Sequence, residues 1–217
     1  MLFTETNKKK RTYMALLLSA LLFSISSNLD NLVVGIAYGV KKINVGIIPN
    51  LLIAIVTSTG TLLSMSLGLY IAKFLPHHLS NSLGAFIIVI LGVYFIIQSI
   101  IKLKNNTISK ELALKNINDM VEYAEKSDLD NSGDISIKES LLVAFGLTFN
   151  NLGTGIAASI TGVSIVFTVV FTFILSVLTI MFGQALGSNV LGKFSGKYAP
   201  LFSGILLIIL GIIEFFN

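Results

Sequence analysis

The stretch Asp-Asn-Leu-Val-Val-Gly-Ile-Ala at residues 30–37 decides the fold, because a second copy of it lies 120 residues further along the chain. The copy, Asn-Asn-Leu-Gly-Thr-Gly-Ile-Ala at residues 150–157, is identical at five of eight positions. Two shorter matches follow in the same order at an offset of 119, from 67–68 to 186–187 and from 90–92 to 209–211. Three ordered matches at nearly one offset indicate an internal duplication.

The composition is that of a membrane protein. Hydrophobic residues make up 54% of the 217 residues and charged residues only 12%, with a mean hydropathy of +0.87. Apolar runs of about 20 residues, which suffice to cross a hydrocarbon layer of about 30 Å as a helix, recur along the chain. These runs do not alternate as barrel strands would. We therefore predict an all-α, polytopic integral membrane protein with six transmembrane helices, at 13–40, 45–75, 79–102, 140–161, 164–190 and 200–216.

The six predicted spans fall into two groups of three. Residues 1–102 form a first three-helix repeat with a basic N-terminal tail, 103–139 a hydrophilic loop, and 140–217 a second repeat. The loop holds eight of the eleven acidic residues. Because three spans are an odd number, the second repeat enters the membrane from the opposite side, and the repeats are inverted.

The surroundings of the chain follow from its charge and hydropathy. The lipid bilayer of the cell (inner or plasma) membrane is the expected partner. The net charge of +4 is spread over several loops, which predicts no nucleic-acid partner. The chain has no cysteine, so disulfides and thiolate metal sites are excluded.

Asp30 is the only acidic residue well inside a predicted span. An ionised carboxylate there costs about 2.5–3.5 kcal/mol even on a lenient scale, so intramembrane acids are functional candidates. Helical spacing puts Ser27, Asp30 and Asn31 on one face. An oxygen-only site of this kind suits Mn²⁺, Mg²⁺, Ca²⁺ or Na⁺. With the second copy and one glutamine of the fifth span, the predicted ion pathway comprises Ser27, Asp30, Asn31, Asn150, Asn151, Thr154 and Gln184.

Simpler roles remain open for some of these residues. Asn31 and Asn151 also fit interhelical hydrogen bonds that hold the bundle together. The glycines that follow the two polar clusters indicate close helix packing in preference to a local helix break; they are Gly35, Gly39, Gly153 and Gly155.

The segment 128–139 matches the twelve-residue calcium loop of an EF-hand. Gly133 stands at the sharp turn and Ile135 at the apolar eighth position. An amphipathic run at 114–124 would be the entering helix, and the fourth span the exiting one. The predicted ligands of Ca²⁺ are Asp128, Asp130, Ser132, Asp134 (through its carbonyl), Ser136 and Glu139. An acidic solvated linker is the alternative. A single loop also leaves open weak binding, pairing across a homodimer, or a role in ordering the linker.

These residues resemble a known family over nearly the whole chain. Residues 29–31 leading to 35–39, the acidic loop 128–139, and 150–151 leading to 155–156 are similar to the family of manganese efflux pumps (MntP) and sporulation membrane proteins (YtaF), the YtaF branch in particular. The resemblance implies six spans in the inner membrane, with Asp30 matching the family's first-repeat aspartate. Its second-repeat aspartate is replaced here by Asn150, which would weaken a divalent-cation site.

We predict a membrane transporter that exports a divalent cation, with Mn²⁺ as the transported ion, driven by an ion gradient or the membrane potential. The first alternative is a sporulation membrane protein that does not transport and whose acidic loop senses calcium or docks partners. The second is an exporter of small, amino-acid-like solutes. An enzyme is not expected, because neither a nucleophile–base pair nor a metal-binding histidine spacing is evident.

Overall fold

The computed structural model describes residues 2–104, 124–188 and 192–216, including all of their side chains except those of 2–12, 77–81, 102–104, 150 and 192–200. Within these ranges the chain is helical, and its extended backbone amounts to one isolated β-bridge. The predicted all-α class is therefore confirmed. The long helices are α1 (Leu2–Ser27), α2 (Leu29–Lys41), α3 (Ile47–Ala72), α4 (His77–Lys104), α5 (Ile137–Ile160), α6 (Ile165–Gly187) and α7 (Gly192–Phe216).

Four segments of the described chain are long and apolar enough to cross a membrane. They are Tyr13–Lys41, Ile47–Ala72, Ser82–Ile101 and Ile165–Gly187, which match the first, second, third and fifth predicted spans. A fifth candidate, Ile137–Phe149 followed by Asn151–Ile160, is bent by 47°. The apolar part of α7, Leu201–Phe216, is a shorter helix. The complete set of six spans stays a prediction.

The first span is interrupted at Asn28, between α1 and α2. The backbone of Asn28 leaves the helical region, with φ −99° and ψ 2°, and its side-chain Nδ2 donates to the carbonyl of Ser24 at 2.8 Å. Asparagine favours such a site because its amide competes with the backbone for hydrogen bonds. As a result α2 begins at Leu29, and Asp30 lies in its first turn.

The helices pack across the two halves of the sequence. α3 lies along α5, α1 and α2 lie along α6, and α4 lies along α7. α3 also contacts α6, near the centre of the bundle. Large apolar side chains cover the outer faces; among them Leu63, Phe86 and Phe182 are more than half exposed. This is the arrangement expected of helices that meet lipid on the outside and each other on the inside.

Glycines allow the backbones of α2 and α6 to approach closely. A Cβ atom added to Gly35 would lie 2.6 Å from the carbonyl oxygen of Ile180, and one added to Gly39 would meet the carbonyl of Gln184. The same holds between α3 and α5, where Gly68 lies against the carbonyl of Ile156. The packing role predicted for the glycines is confirmed at Gly35, Gly39 and Gly155.

Gly153 is different. A Cβ atom added there would meet no heavy atom within 4 Å, so the packing role predicted for this residue is wrong. The residue lies on an exposed face of α5, where the neighbouring helices leave it uncovered.

We expect Gly187→Ala to destabilise the protein. The added methyl group would lie 2.8 Å from the carbonyl carbon of Ile36 and 3.0 Å from the Cα of Gly39, and overpacking of this kind costs about 1–3 kcal/mol. Thermal unfolding in detergent should show a lower midpoint. Gly153→Ala is the control, because alanine is favoured over glycine in a helix by about 1 kcal/mol and the site has room. Equal midpoints for the two variants would contradict the packing described above.

Candidate functional site

Buried polar side chains meet where α1 passes into α2. Ser27, Asp30 and Asn31 are 5%, 4% and 1% exposed, so the predicted first-copy cluster faces the protein interior. Asp30 lies in the first turn of α2, directly after the end of α1.

Asn31 connects this cluster to two other helices. Its Nδ2 donates to Asn28 Oδ1 at 2.9 Å and to Ser176 Oγ at 2.8 Å. The Ser176 hydroxyl in turn lies 3.3 Å from the hydroxyl of Thr57 on α3. We call Asn28, Asp30, Asn31, Thr57 and Ser176 the central network.

One acceptor of the central network is unused. Asn31 Oδ1 is buried and accepts no hydrogen bond from any residue that the structure describes. An unsatisfied buried acceptor costs about 1–3 kcal/mol. This amide oxygen belongs to the residue next to Asp30, so a carboxylate and a free amide oxygen arise from the same helix turn.

The second-copy residues lie partly against this cluster. Asn151 Nδ2 donates to the carbonyl of Ser27 at 2.8 Å, so α5 is bonded to the end of α1. Thr154 Oγ1 donates to the carbonyl of Asn151 at 3.0 Å, which satisfies its hydroxyl within its own helix. The side chain of Asn150 lies outside the part of the chain that the structure describes.

Gln184 lies apart from the central network. Its Nε2 donates to the carbonyl of Ile43 at 2.9 Å, beside the connection between α2 and α3. Glutamine is unusual in a span, which favours a place in the pathway, but the residue type does not indicate how deep in the membrane the side chain lies. It lines a separate cavity near this connection.

The predicted pathway omits three members of the central network, Asn28, Thr57 and Ser176. A single serine in an apolar span is typical of close packing, so the residue type did not mark out Ser176. A signal existed nonetheless, because Ser176 follows Thr57 by 119 residues, the offset of the two shorter sequence matches.

Three carboxylates of the acidic loop converge. Asp128, Asp130 and Glu139 each offer an oxygen within 4.8 Å of the others. The two carboxylate oxygens of Asp128 accept the backbone N–H groups of Ser132 and Gly133, both at 3.0 Å. Gly133 has a φ of +80°, which fits the sharp turn predicted for it.

Hydrogen bonds hold these carboxylates in place. Glu139 accepts the backbone N–H of Leu129 at 2.6 Å and that of Ser136 at 2.7 Å. Hydrogen bonding to Ser132, whose backbone N–H donates to Asp130 Oδ1 at 3.0 Å, lowers the pKa of Asp130 below its ordinary value. The loop is thus ordered around hydrogen-bonded carboxylates.

The other predicted ligands of the loop have protein partners. Ser136 is the N-cap of α5 and forms a capping box with Glu139. The hydroxyl of Ser132 donates to the carbonyl of Asp134 at 3.0 Å. The side chain of Asp134 accepts a hydrogen bond from Asn44 Nδ2 at 2.9 Å. Of the predicted entering helix at 114–124, only Ala124 is described, and it begins a helical segment at 124–127.

The acidic loop is attached to the connection between α2 and α3. Asn44 N donates to the carbonyl of Gly133 at 2.8 Å, and Ile135 N donates to the carbonyl of Asn44 at 2.9 Å. Close by, the hydroxyls of Tyr38 and Ser127 lie 2.8 Å apart. Ile135, the eighth residue of the loop, therefore pairs with Asn44 of the same chain.

The chain is similar to known proteins over most of its length. The family model described as "Mntp: Putative manganese efflux pump" matches residues 1–96 and 106–214. The chain is 28% identical over 210 residues to the "Probable sporulation protein YtaF" of Bacillus subtilis (strain 168), which covers 90% of this chain and 98% of the relative. No solved structure matches the chain.

We expect Asn44→Pro to release the acidic loop, because proline lacks the N–H that donates to Gly133. Hydrogen exchange of the backbone amides at 128–136 should become faster. Asn44→Ala keeps the main-chain bonds and is the control, with exchange close to that of the unchanged chain. Equal protection in both variants would mean that these main-chain bonds do not hold the loop.

Proposed function

The chain belongs to the Mntp family of manganese efflux pumps and is a multi-pass protein of the cell membrane, and we propose that it exports a divalent cation of the manganese type. The observations that carry the proposal are the burial of Asp30 and, at the next residue, a buried oxygen of Asn31 that accepts no hydrogen bond within the described chain. Carboxylate and amide oxygens are the ligands that Mn²⁺, Mg²⁺ and Ca²⁺ prefer.

The transported cation would bind at the central network. Asp30 supplies the charge, Asn31 Oδ1 a neutral oxygen, and the hydroxyls of Thr57 and Ser176 further oxygens from α3 and α6. Because Asn31 Nδ2 is already engaged, its oxygen is held in a fixed direction. A site with a single carboxylate suits a transported ion, which must be released as well as bound.

The proposed architecture is six spans in two inverted repeats. It is supported by pairs of contacts between helices. Shifting the residue numbers of one contact by the repeat offsets gives the residue numbers of the other. Gly187 lies against the carbonyl of Ile36, and Gly68 lies against that of Ile156. The offset of 120 converts residue 36 into 156, and that of 119 converts 68 into 187.

The third spans follow the same rule. A Cβ added to Gly92 would lie 2.8 Å from the carbonyl oxygen of Gly204, and one added to Gly211 would lie 3.0 Å from that of Ala85. The offset of 119 exchanges these two contacts. Thr57 and Ser176, which exchange with each other, would then lie at the pseudo-two-fold axis, beside Asn31.

Such symmetry supports alternating access by rocking one repeat against the other around a site on the axis. The glycine contacts join helices of different repeats, so they form the surface along which the repeats would move. An ion gradient or the membrane potential would supply the energy. The family's description as a pump and the absence of a nucleophile–base pair in the sequence favour transport over catalysis.

The acidic loop is proposed to bind calcium through Asp128, Asp130 and Glu139. The convergence of three carboxylates within 4.8 Å supports it, and so does their fixed orientation. Because the loop is bonded to Asn44 on one side and caps α5 on the other, ion binding would stabilise contact between the repeats.

A sporulation role without transport is the second candidate. It is supported by the name of the Bacillus subtilis relative and by the neutral Asn150 at the second-repeat position. In this reading the central network would be structural, and the acidic loop would dock a partner.

Transport of ⁵⁴Mn²⁺ into proteoliposomes separates the two candidates. Asp30→Asn should lower the rate by at least about tenfold, in the range found for weakened metal sites. Glu214→Gln is the matched control, because it makes the same change at a buried carboxylate of α7 outside the central network, and its rate should be unchanged. A rate no higher than that of protein-free liposomes for the unchanged chain would reject the transporter, and equal measurable rates for Asp30→Asn and the unchanged chain would reject Asp30 as its site.

Calcium binding tests the acidic loop separately. Asp130→Asn keeps an oxygen for the hydrogen bond from Ser132 but removes a charge, and we expect it to weaken calcium binding about tenfold or more. Asp134→Asn keeps the backbone carbonyl and is the control. Isothermal titration of the purified full chain measures both, and an unchanged affinity in Asp130→Asn would rule out the carboxylate cluster as a calcium site.

A further inference from the structure

A second polar site lies between the acidic loop and the central network. A cavity of about 520 Å³ is bounded by the end of α2, the connection to α3, the first turn of α3 and the second half of α6. Most of its lining is apolar, as at Val45, Leu51 and Met181, and its polar lining residues are Lys42, Asn44, Asn50, Gln184 and Ser188.

The amide groups of this cavity are held with their nitrogen atoms engaged. Asn50 Nδ2 donates to the carbonyl of Val177 at 3.1 Å, and Gln184 Nε2 donates to that of Ile43 at 2.9 Å. Because a carbonyl oxygen only accepts, these bonds fix which end of each amide is the oxygen. The chain thus anchors the donor nitrogen of each amide.

Asn50 Oδ1 has no such partner. Asn50 is 2% exposed, and its oxygen accepts no hydrogen bond within the described part of the chain. A buried acceptor in this state costs about 1–3 kcal/mol, which a cation or a water molecule of its hydration shell would offset. An anion would be repelled, and an apolar ligand would leave the oxygen unsatisfied.

The rim carries charges of both signs, because the exposed Lys42 lines the cavity, but the acidic groups of the adjoining loop outnumber it. Asn44 lines the cavity and donates to the carboxylate of Asp134, so one negative group adjoins the opening. The carboxylates of Asp128, Asp130 and Glu139 belong to the same loop. A concentration of one charge beside an opening attracts ions of the opposite charge.

The cavity also leads towards the central network. Val177, which accepts the hydrogen bond of Asn50, directly follows Ser176. On α3, Asn50 precedes Thr57 by seven residues, about 10 Å along a helix. Asn50 therefore lies about two helix turns from the Thr57–Ser176 contact, on the side of the acidic loop.

We propose that this cavity is an access site for the transported divalent cation, in which Asn50 Oδ1 holds the partly hydrated ion before it reaches Asp30. The inference rests on the proposed transport function and adds a second binding position with its own residues. The site is reached from the side of the membrane that carries the acidic loop.

The natural absence of cysteine makes a direct test available. Ser188→Cys places a single thiol in the cavity wall. A separate reference chain carries Asn131→Cys in the acidic loop. A membrane-impermeant thiol reagent should label both chains from the same side of the membrane. Leu63→Cys, on the outer face of α3, is the control and should stay unlabelled. Labelling of Ser188→Cys only from the opposite side would overturn the proposed access route.

Protection by Mn²⁺ then tests binding. The reporter chain for this test carries Ser188→Cys together with Asp30→Asn and Asp130→Asn. The last two changes prevent the transport site and the acidic loop from contributing to Mn²⁺ binding. Mn²⁺ should slow the labelling. Adding Asn50→Leu should raise the half-protecting Mn²⁺ concentration by about tenfold or more, and Asn50→Asp should lower it. A misfolded chain would not bind more tightly, so the second variant guards against a folding defect.

Two results would overturn the inference. One is the absence of Mn²⁺ protection in the reporter chain, and the other is protection that is equal in both Asn50 variants. Neither result touches the proposed transport function, which fails if the unchanged chain transports no Mn²⁺ into proteoliposomes.

Discussion

The close contact between α2 and α6 is the interaction on which the rest of the structure depends. Asn31, Gly35 and Gly39 are spaced by four residues along α2 and therefore share one face. Against this face lie Ser176 and Gly183 of α6. Because the glycines lack side chains, the backbones approach closely enough for Asn31 to bond Ser176 directly. In a bilayer, where apolar surfaces gain little from meeting each other, such packing and hydrogen bonding supply the association of helices.

The same contact explains how polar groups are accommodated in the membrane. Most hydroxyls of the spans are satisfied by their own helix, as Thr57 is by the carbonyl of Ile53 at 2.9 Å. Amides have more donors and acceptors than one helix turn can satisfy, so Asn31 reaches across to α6. Within the described residues, the buried polar atoms left without a hydrogen bond are the amide oxygens of Asn31 and Asn50 and the hydroxyls of Ser19 and Ser99. The two amide oxygens are acceptors only, which favours positive ligands at these two positions.

The two halves differ most at the acidic loop. It precedes only the second half, yet its main chain pairs with Asn44 of the first. The ion pair of Lys41 with Glu125 adds a charged contact at the same place. The connection between α2 and α3 is therefore held by the loop on one side and forms the wall of the cavity on the other. A change in the conformation of the loop would therefore act directly on that wall.

The sequence by itself determined the membrane class, four of the spans and the burial of Asp30. Hydrophobic length and the cost of an intramembrane charge leave little freedom at these points. Asn151 and Ser27, both residues of the predicted pathway, are joined by a hydrogen bond. The sequence did not determine the partners of Asn31, the position of Gln184 or the neighbour of the acidic loop. Ser176, Asn50 and Asn44 are ordinary residues in sequence, and their roles arise only from which helix faces meet. Those contacts are set by the depth and rotation of each helix, which a one-dimensional pattern of apolar and polar residues does not contain.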